Sequence, residues 1–478
     1  MSVPLLDLAR IPPDRLAVEF PDGSLTYGAL HERAAALAAE LAGFERVAVW
    51  MSPRVDTAVR VAAVALAGAP LVPLNPGAAE RELEHVLRDS DPGIVLVSPD
   101  EGAPSGVMER ARSPRPGHRP RGDDEVGLIV YTSGTTGPPK GVEMRRSAMA
   151  SNMDALASAW EWTADDVVCQ ALPLFHAYGL LVGLLGPLRF GNTLIHTGRF
   201  SPEALVEPLL SRATILLAVP TMYHRLLDAA EEDPRVAGAL RAPRILGSGA
   251  GGMPQAEHER LQRVAGRRVL DRYGMTETLV STATRPADEH RPGFSGRPLP
   301  GVELRLTHDD GSVITESDSE TIGEIEVRGP NLFLGYLGNE EATRAAFRDG
   351  WFRTGDLAVR APDGAIRIMG RRGTDLINSG GYRIGAGEVE SALLDHSAVS
   401  EAAVLAEPDP DLGERIVAWV ALREGFTATD QELMDHVGSL LARHKRPRRI
   451  VFVDALPRNT MGKVLKRELR ADAQRVAD

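Results

Sequence analysis

From Arg46 onward the chain alternates short apolar, β-branched runs with segments whose apolar residues recur at helical spacing. Val47-Ala48-Val49-Trp50, Leu71-Val72-Pro73 and Ile94-Val95-Leu96-Val97 have strand length, and residues 55–66 and 79–87 between them read as helices. Such alternation predicts βαβ units and a largely parallel sheet. An Arg/Pro-rich stretch over 105–124 reads as exposed. The pattern then resumes through 126–131, 166–172, 193–196, 214–219, 244–247 and 269–273, which predicts a second α/β layer system. Between Pro300 and Arg328 the runs 302–306 and 323–327 alternate without long helices, so a small antiparallel β unit is expected there. The C-terminal stretch repeats the strand and helix signals: strands at 365–369, 402–405, 416–422 and 450–453, helices at 387–394 and 431–441. The expected fold class is α/β. A large N-terminal domain, 1–370, would hold two α/β sheet subdomains plus the small β unit, and a small α+β C-terminal domain would span 371–478 with the boundary close to Arg371.

Length agrees with this division, since 478 residues exceed the usual ~150 per domain several-fold. Charge narrows the partners. With 54 Lys plus Arg against 66 Asp plus Glu, a net −12, the chain lacks the basic surface of a nucleic-acid or anionic-membrane binder, so an anionic ligand must be held locally. The single cysteine, Cys169, excludes an intrachain disulfide and, inside the apolar run Val167-Val168-Cys169-Gln170-Ala171, reads as a small buried hydrophobe rather than a nucleophile. The N-terminus shows no secretory pattern, and the longest apolar stretch, 177–188, is too short for a ~20-residue membrane span and reads as a buried helix. The expected location is the cytoplasm.

One segment concentrates the chemistry. In Leu128-Ile129-Val130-Tyr131-Thr132-Ser133-Gly134-Thr135-Thr136-Gly137-Pro138-Pro139-Lys140-Gly141-Val142 an apolar strand runs into hydroxyls, glycines and a lysine, a composition able to wrap polyphosphate with backbone N–H groups and side-chain donors. It is not a Walker A loop, because two prolines precede Lys140 and Gly141 follows it. On composition alone, a surface turn rich in Gly, Ser and Thr stays open beside phosphate binding.

Residues 131–141 resemble the phosphate loop of adenylate-forming enzymes, the superfamily of acyl-CoA synthetases, peptide-synthetase adenylation domains and beetle luciferase. Further segments resembling that family follow in its order: Pro173-Leu174-Phe175-His176, Tyr273-Gly274-Met275-Thr276-Glu277-Thr278, Trp351-Phe352-Arg353-Thr354-Gly355-Asp356, Gly370-Arg371, Ser379-Gly380-Gly381-Tyr382-Arg383-Ile384 and Pro457-Arg458-Asn459-Thr460-Met461-Gly462-Lys463-Val464. The likeness covers essentially the whole chain. It implies an acid–CoA ligase using ATP, Mg²⁺ and coenzyme A. A carboxylate attacking the α-phosphorus must overcome repulsion between anions, so such a site needs cations and positioning more than a protein nucleophile. By resemblance, Thr132, Ser133, Gly134, Thr135, Thr136 and Lys140 meet the phosphates, and Thr276 and Glu277 meet phosphate and metal, Glu277 being the metal's carboxylate. Gly274 and Met275 belong to the same nucleotide segment, Tyr273 offers adenine an aromatic face, and Asp356 and Arg371 contact the ribose. Lys463 corresponds to the family's mobile catalytic lysine, and Gly380 and Gly381 to the segment that approaches pantetheine once the C-terminal domain rotates. Residues 371–375 run one longer than the common hinge pattern.

Through Pro173-Leu174-Phe175-His176, Val219-Pro220-Thr221-Met222-Tyr223-His224-Arg225 and Asn378-Ser379-Gly380-Gly381-Tyr382-Arg383-Ile384-Gly385-Ala386-Gly387-Glu388 the chain resembles, within the family, the malonyl-CoA synthetases, which points to a small malonate-type carboxylate as partner. An arginine at the place of Arg225 pairs there with the distal carboxylate, with His176 and Met275 bordering the acyl pocket. Two positions differ: Tyr178 stands where a second histidine is expected, and Ala250 where a pocket serine is expected. Malonate and methylmalonate are the expected acids. Rival readings are a ligase for another small or medium-chain acid, a stand-alone enzyme loading a carrier protein, a non-catalytic nucleotide-binding homologue, and a kinase or P-loop ATPase.

Overall fold

The computed structural model describes residues 4–112, 126–132, 139–372, 375–380, 382–458, 464–466 and 468–469. Among them four sheets form. The largest places, in order, Arg297–Pro298, Leu279–Ala283, Leu270–Met275, Ile245–Ser248, Ile215–Ala218, Val167–Gln170, Thr193–His196, Leu16–Phe20 and Gly23–Thr26 side by side. Its interior, from Leu270–Met275 to Leu16–Phe20, is parallel, and antiparallel pairs close both edges. Ile215–Ala218 and Ile245–Ser248 are buried throughout, which is why their sequences are continuous short runs of small and apolar residues rather than alternating ones.

A second sheet runs Ile94–Leu96, Val47–Trp50, Leu71–Leu74 and Val126–Thr132 in parallel, then Lys140–Arg145 and Gly335–Tyr336 antiparallel. These are the two α/β layers expected from the sequence. The amino-terminal hairpin Leu16–Phe20 and Gly23–Thr26 was not anticipated. It joins the large sheet through Thr193–His196, a partner no local pattern announces.

The expected antiparallel unit is present and larger than the pattern indicated. Glu303–Thr307, Gly323–Arg328 and Trp351–Arg360 are its main strands, and Ile366–Arg371 pairs with Trp351–Arg360. The strand expected at 365–369 therefore belongs to this unit and not to the C-terminal module. Two further readings are refined. Ser105–Arg112 is helical and buries Val107, so the first part of the stretch read as exposed is packed. The apolar run at 177–188 is a buried helix as expected, but Tyr178–Leu185 takes wide π-type turns before Gly186–Phe190 continues as α-helix.

The C-terminal sheet consists of Tyr382–Gly385, Leu376–Ser379, Gly413–Leu422 and Val399–Asp409, with Arg449–Phe452 added in parallel to Gly413–Leu422. It has a core of its own. Ile377, Ile384, Val389, Leu393, Val404, Ile416, Leu433 and Val437 are buried together beneath helices Ala386–Leu394 and Asp430–Leu440. Among the described residues no helix is long and apolar enough to cross a membrane.

Candidate active site

Four neighbouring parallel strands of the large sheet end on the same edge, and each hands over to a segment singled out in the sequence. His176 follows Val167–Gln170, the helix bearing Arg225 follows Ile215–Ala218, Ala250 follows Ile245–Ser248, and Thr276-Glu277 follows Leu270–Met275. A crevice beyond the carboxyl ends of adjacent parallel strands is where open α/β sheets bind ligands.

Strand Leu270–Met275 turns straight back as Leu279–Ala283, and the chain crosses itself so closely that a Cβ at Gly274 would overlap the Leu279 carbonyl. Only glycine fits there. The tip, Thr276-Glu277-Thr278, is pinned from outside: Asn331 Nδ2 donates to the Thr278 carbonyl at 2.6 Å, and the Phe333 N–H to the Glu277 carbonyl at 2.9 Å. Buried Asn152 braces the returning strand with both ends of its amide, donating to the Val280 carbonyl at 2.7 Å and accepting from its N–H at 3.1 Å. The Glu277 carboxylate accepts the Tyr336 hydroxyl at 3.0 Å, and burial raises its pKa. Tyr336 also receives Lys140, whose Nζ stands 5.0 Å from the ring centroid. Lys140 faces Thr132 across the hairpin whose connecting residues carry the phosphate-loop signature. The mouth of that loop and the Glu277 carboxylate therefore meet at one tyrosine.

A second constellation joins the antiparallel unit to the same strand. Asp356 and Arg371 lie opposite each other in register, and Arg371 Nε donates to Asp356 Oδ1 at 2.9 Å. The Tyr273 hydroxyl donates to Asp356 Oδ2 at 2.7 Å, so Tyr273 reaches the carboxylate expected for ribose as well as offering its ring. Thr354 fixes the backbone beneath, accepting the Asp356 N–H at 3.0 Å and donating to the Ile325 carbonyl at 2.9 Å. Burial opposes the Arg371 charge, but Asp356 and Glu277 outweigh it and hold the guanidinium firmly protonated.

The residue before Tyr273 leads elsewhere. Arg272 lies over the Tyr178 ring, 3.9 Å from its centroid, and beside Gly249, where a Cβ would overlap the guanidinium. Its Nε, the Tyr178 hydroxyl and His176 Nε2 are all buried without a hydrogen-bond partner among the described residues. Burial lowers the His176 pKa to about 4, so its ring is neutral at pH 7. Met275 is half-buried against the N-terminal core, Ala250 is exposed with left-handed backbone (φ 68°), and Arg225 sits on the exposed side of helix Pro220–Glu232 without a described partner. Gly380, also left-handed at φ 57°, ends strand Leu376–Ser379 and donates its N–H to the Leu412 carbonyl at 2.9 Å.

Ser133, Gly134, Thr135, Thr136, Gly381 and Lys463 lie outside the described residues. Sequence reasoning missed Arg272, Tyr336 and Asn152. Arg272 had one local signal: it adjoins Tyr273 on a strand, so the two side chains leave on opposite faces. Cys169 is buried within Val167–Gln170, and burial pushes its thiol up to about 12, as a structural cysteine requires.

The donor set bears on the metal. Among the described residues no three His, Cys, Asp or Glu side chains converge as a metal cage, so Glu277 would act as a single hard oxygen ligand. That is how Mg²⁺ is held when phosphates supply the other ligands.

The profile of AMP-binding enzymes matches residues 7–337, and that of the AMP-binding enzyme C-terminal domain matches residues 388–463. The mitochondrial malonate–CoA ligase ACSF3 of Bos taurus is 34% identical over 527 residues, covering 98% of this chain and 90% of the relative. Among solved structures, a malonyl-CoA ligase ternary product complex with methylmalonyl-CoA and AMP bound is 50% identical (TM-score 0.72), covering 95% of this chain and all of that one. ATP-bound MatB from Rhodopseudomonas palustris is 34% identical, with a TM-score of 0.86 over 98% of this chain and 97% of that one.

Proposed function

The chain belongs to the AMP-binding enzyme family, and from that premise we propose that it joins a small malonate-type acid to coenzyme A through an acyl-adenylate, releasing AMP and pyrophosphate. Malonate and methylmalonate are the acids of this reading, as the names of its relatives suggest. One observation carries it: a single strand, Leu270–Met275, presents Arg272 to one side, Tyr273 to the Asp356 carboxylate, and Glu277 at the tip that follows. A nucleotide and a carboxylate bound on either side of that strand end would meet at its tip.

In the first half-reaction a carboxylate oxygen of the acid attacks the α-phosphorus, and the bond to pyrophosphate breaks. Asp356, with Tyr273 and Arg371 already on it, would receive the ribose hydroxyls and so fix the α-phosphate's position. Lys140 and the rest of the phosphate loop, Thr132 to Thr136, would hold the leaving phosphates. Glu277 would hold Mg²⁺, with Thr276 beside it on the phosphate, and the metal would supply charge neutralisation for the departing pyrophosphate. Lys463, by its place in the family motif, would bridge the attacking carboxylate and the α-phosphate, a contact whose loss typically costs ~10²–10³ in rate. In the second half-reaction the CoA sulfur attacks the acyl carbonyl and AMP leaves, with Gly380 and Gly381 lining the approach. Residues 371–478 would rotate as a unit between the two steps.

The acyl end supports a diacid. Arg272 is a buried guanidinium beside an unpartnered histidine and tyrosine, and a planar cation of this kind suits a carboxylate. Arg225, exposed on the helix that follows the strand two places away, would be the second cation for the distal carboxylate. Tyr178 and Ala250 would shape what the α-carbon can carry. A reducing cytoplasmic setting belongs to this reading, supported by the lone, buried and protonated Cys169. A panel of acids assayed for pyrophosphate release with and without CoA tests the whole. Malonate or methylmalonate is expected to give the highest kcat/KM, with AMP and not ADP as product and turnover dependent on CoA. A higher kcat/KM for acetate, butyrate or an aromatic acid would remove the diacid assignment.

A further inference from the structure

Three residues after Lys463 in the sequence, Lys466 makes contacts that the reaction just outlined does not use. Only 17% of its side chain is exposed, and its Nζ meets two carboxylates, Asp375 Oδ1 at 2.6 Å and Glu390 Oε1 at 2.7 Å. Burial disfavours the ammonium, but the two carboxylates outweigh it and keep it charged. Glu390 lies on helix Ala386–Leu394 and also accepts the Val404 N–H at 2.8 Å, so that side of the contact is fixed in the C-terminal core.

Asp375 faces the other way. Its second oxygen accepts the Arg371 N–H at 3.1 Å, its own N–H donates to the Arg371 carbonyl at 2.8 Å, and its carbonyl accepts the Ala386 N–H at 2.7 Å. A Cβ at Gly370 would overlap the Asp375 side chain, so glycine there permits the approach. The strand that Asp375 caps delivers Arg371 Nε to Asp356. On its other flank the Lys466 segment is held by the Leu465 N–H on the Pro457 carbonyl at 2.7 Å and by an Arg458–Val464 bridge, with Arg458 Nη2 in turn 2.8 Å from Glu401. A continuous polar path thus runs from the terminal segment, through Lys466 and Asp375, to the pair expected to hold the ribose.

We propose that Lys466 is a positioning residue for adenylation: gripping Asp375, it makes the terminal segment follow the Arg371–Asp356 pair. The inference rests on the ribose and lysine roles proposed for Arg371 and Lys463. Replacing Lys466 by Met would leave the chemistry's own groups in place and loosen their registration. A displacement of about 1 Å at a reacting centre can cost ~10²-fold, so adenylation measured as pyrophosphate release is expected to slow by roughly 10- to 100-fold in Lys466→Met. Thioester formation from purified acyl-adenylate should stay within about twofold, because that step does not need the adenylating arrangement. Lys466→Arg should recover most of the rate. Asp375→Asn should reproduce the defect, and the double variant should be no worse than either single one, as two ends of one contact require.

Equal loss in both half-reactions, or no rescue by arginine, would reduce Lys466 to a stabilising ion pair and overturn the proposal. So would unchanged adenylation in Lys466→Met while Lys463→Ala is inactive in the same assay. Normal adenylation in Lys463→Ala would instead sink the reading on which the proposal stands.

Discussion

The two ends of the proposed site, built on consecutive residues of one strand, differ in how far the protein has completed them. At the nucleotide end, Asp356 has both oxygens engaged, by Tyr273 and Arg371, and Glu277 already holds Tyr336. At the acyl end, Arg272 Nε, the Tyr178 hydroxyl and His176 Nε2 are buried without a hydrogen-bond partner among the described residues. An unsatisfied buried polar group costs about 1–3 kcal/mol, so three together are tolerable mainly where a ligand will complete them. The nucleotide end is preorganised for a constant partner. On the proposed assignment the acyl end would store its selectivity as unmet hydrogen bonds, because a site with buried polar groups left unpaired by the wrong substrate rejects it strongly.

The largest effect should come from breaking the completed end. Asp356→Asn removes the charge that Arg371 and Tyr273 jointly address and leaves Arg371 with a weaker partner. Hydrogen bonds to charged groups are worth about 1.5–3 kcal/mol each, so kcat/KM for ATP should fall by roughly 100-fold or more, with KM for the acid little changed. Titrating ATP and acid separately in the pyrophosphate assay checks it. An unchanged KM for ATP would mean that the Tyr273–Asp356–Arg371 network is only structural.

Next comes the unmet end. Arg272→Met keeps the length of the side chain and removes the guanidinium, so the ratio of kcat/KM for malonate over acetate should drop by about 10- to 100-fold while KM for ATP holds. Arg225→Met should lower the same ratio less, because a cation in water interacts more weakly than one already desolvated. The reverse order would move the main carboxylate contact to Arg225, and no change in either would end the comparison.

What the sequence showed and what it hid divide along the same line. At the nucleotide end composition pointed to the phosphate loop alone, hydroxyls and glycines after a strand, while the Thr-Glu pair and the aspartate in Thr354-Gly355-Asp356 were read by resemblance to contiguous motifs. The acyl end was legible only at His176, Met275 and Arg225, by resemblance. Arg272 becomes significant through Tyr178 and Gly249, neighbours that the fold supplies and no spacing reveals. Tyr336 was hidden likewise, since its pairing beside Lys140 is a contact between distant segments. The same cause explains the strand Ile366–Arg371: the pattern announced a strand but could not say which sheet would take it.

The smallest effect concerns the charge that surrounds Arg272. Asp271 precedes it, with Oδ2 3.5 Å from His258 Nε2, and His258 Nδ1 lies 3.3 Å from His290 Nε2. Burial raises the Asp271 pKa to about 8 and lowers that of His258 to about 4, so near neutrality Asp271 holds its proton and His258 is uncharged. Among the described residues Arg272 therefore has no ionised carboxylate beside it and stays available to a ligand's. The folded pKa lies above the unfolded value of about 3.9, so the neutral carboxyl's contribution is complete below that value and is lost as pH rises through about 8. The slope is at most about 1.4 kcal/mol per pH unit. Read between about pH 6.5 and 8, above the range where unfolded histidines gain protons, the melting temperature should fall with pH in the unaltered protein and fall less in Asp271→Asn. Above pH 8 an ionised Asp271 would begin to compete for the guanidinium, so KM for the diacid should rise a few-fold there and stay flat in Asp271→Asn. Parallel melting curves and parallel KM profiles for the two proteins would show that Asp271 is already ionised at neutral pH, and that the acyl end is less incomplete than its unpartnered atoms imply.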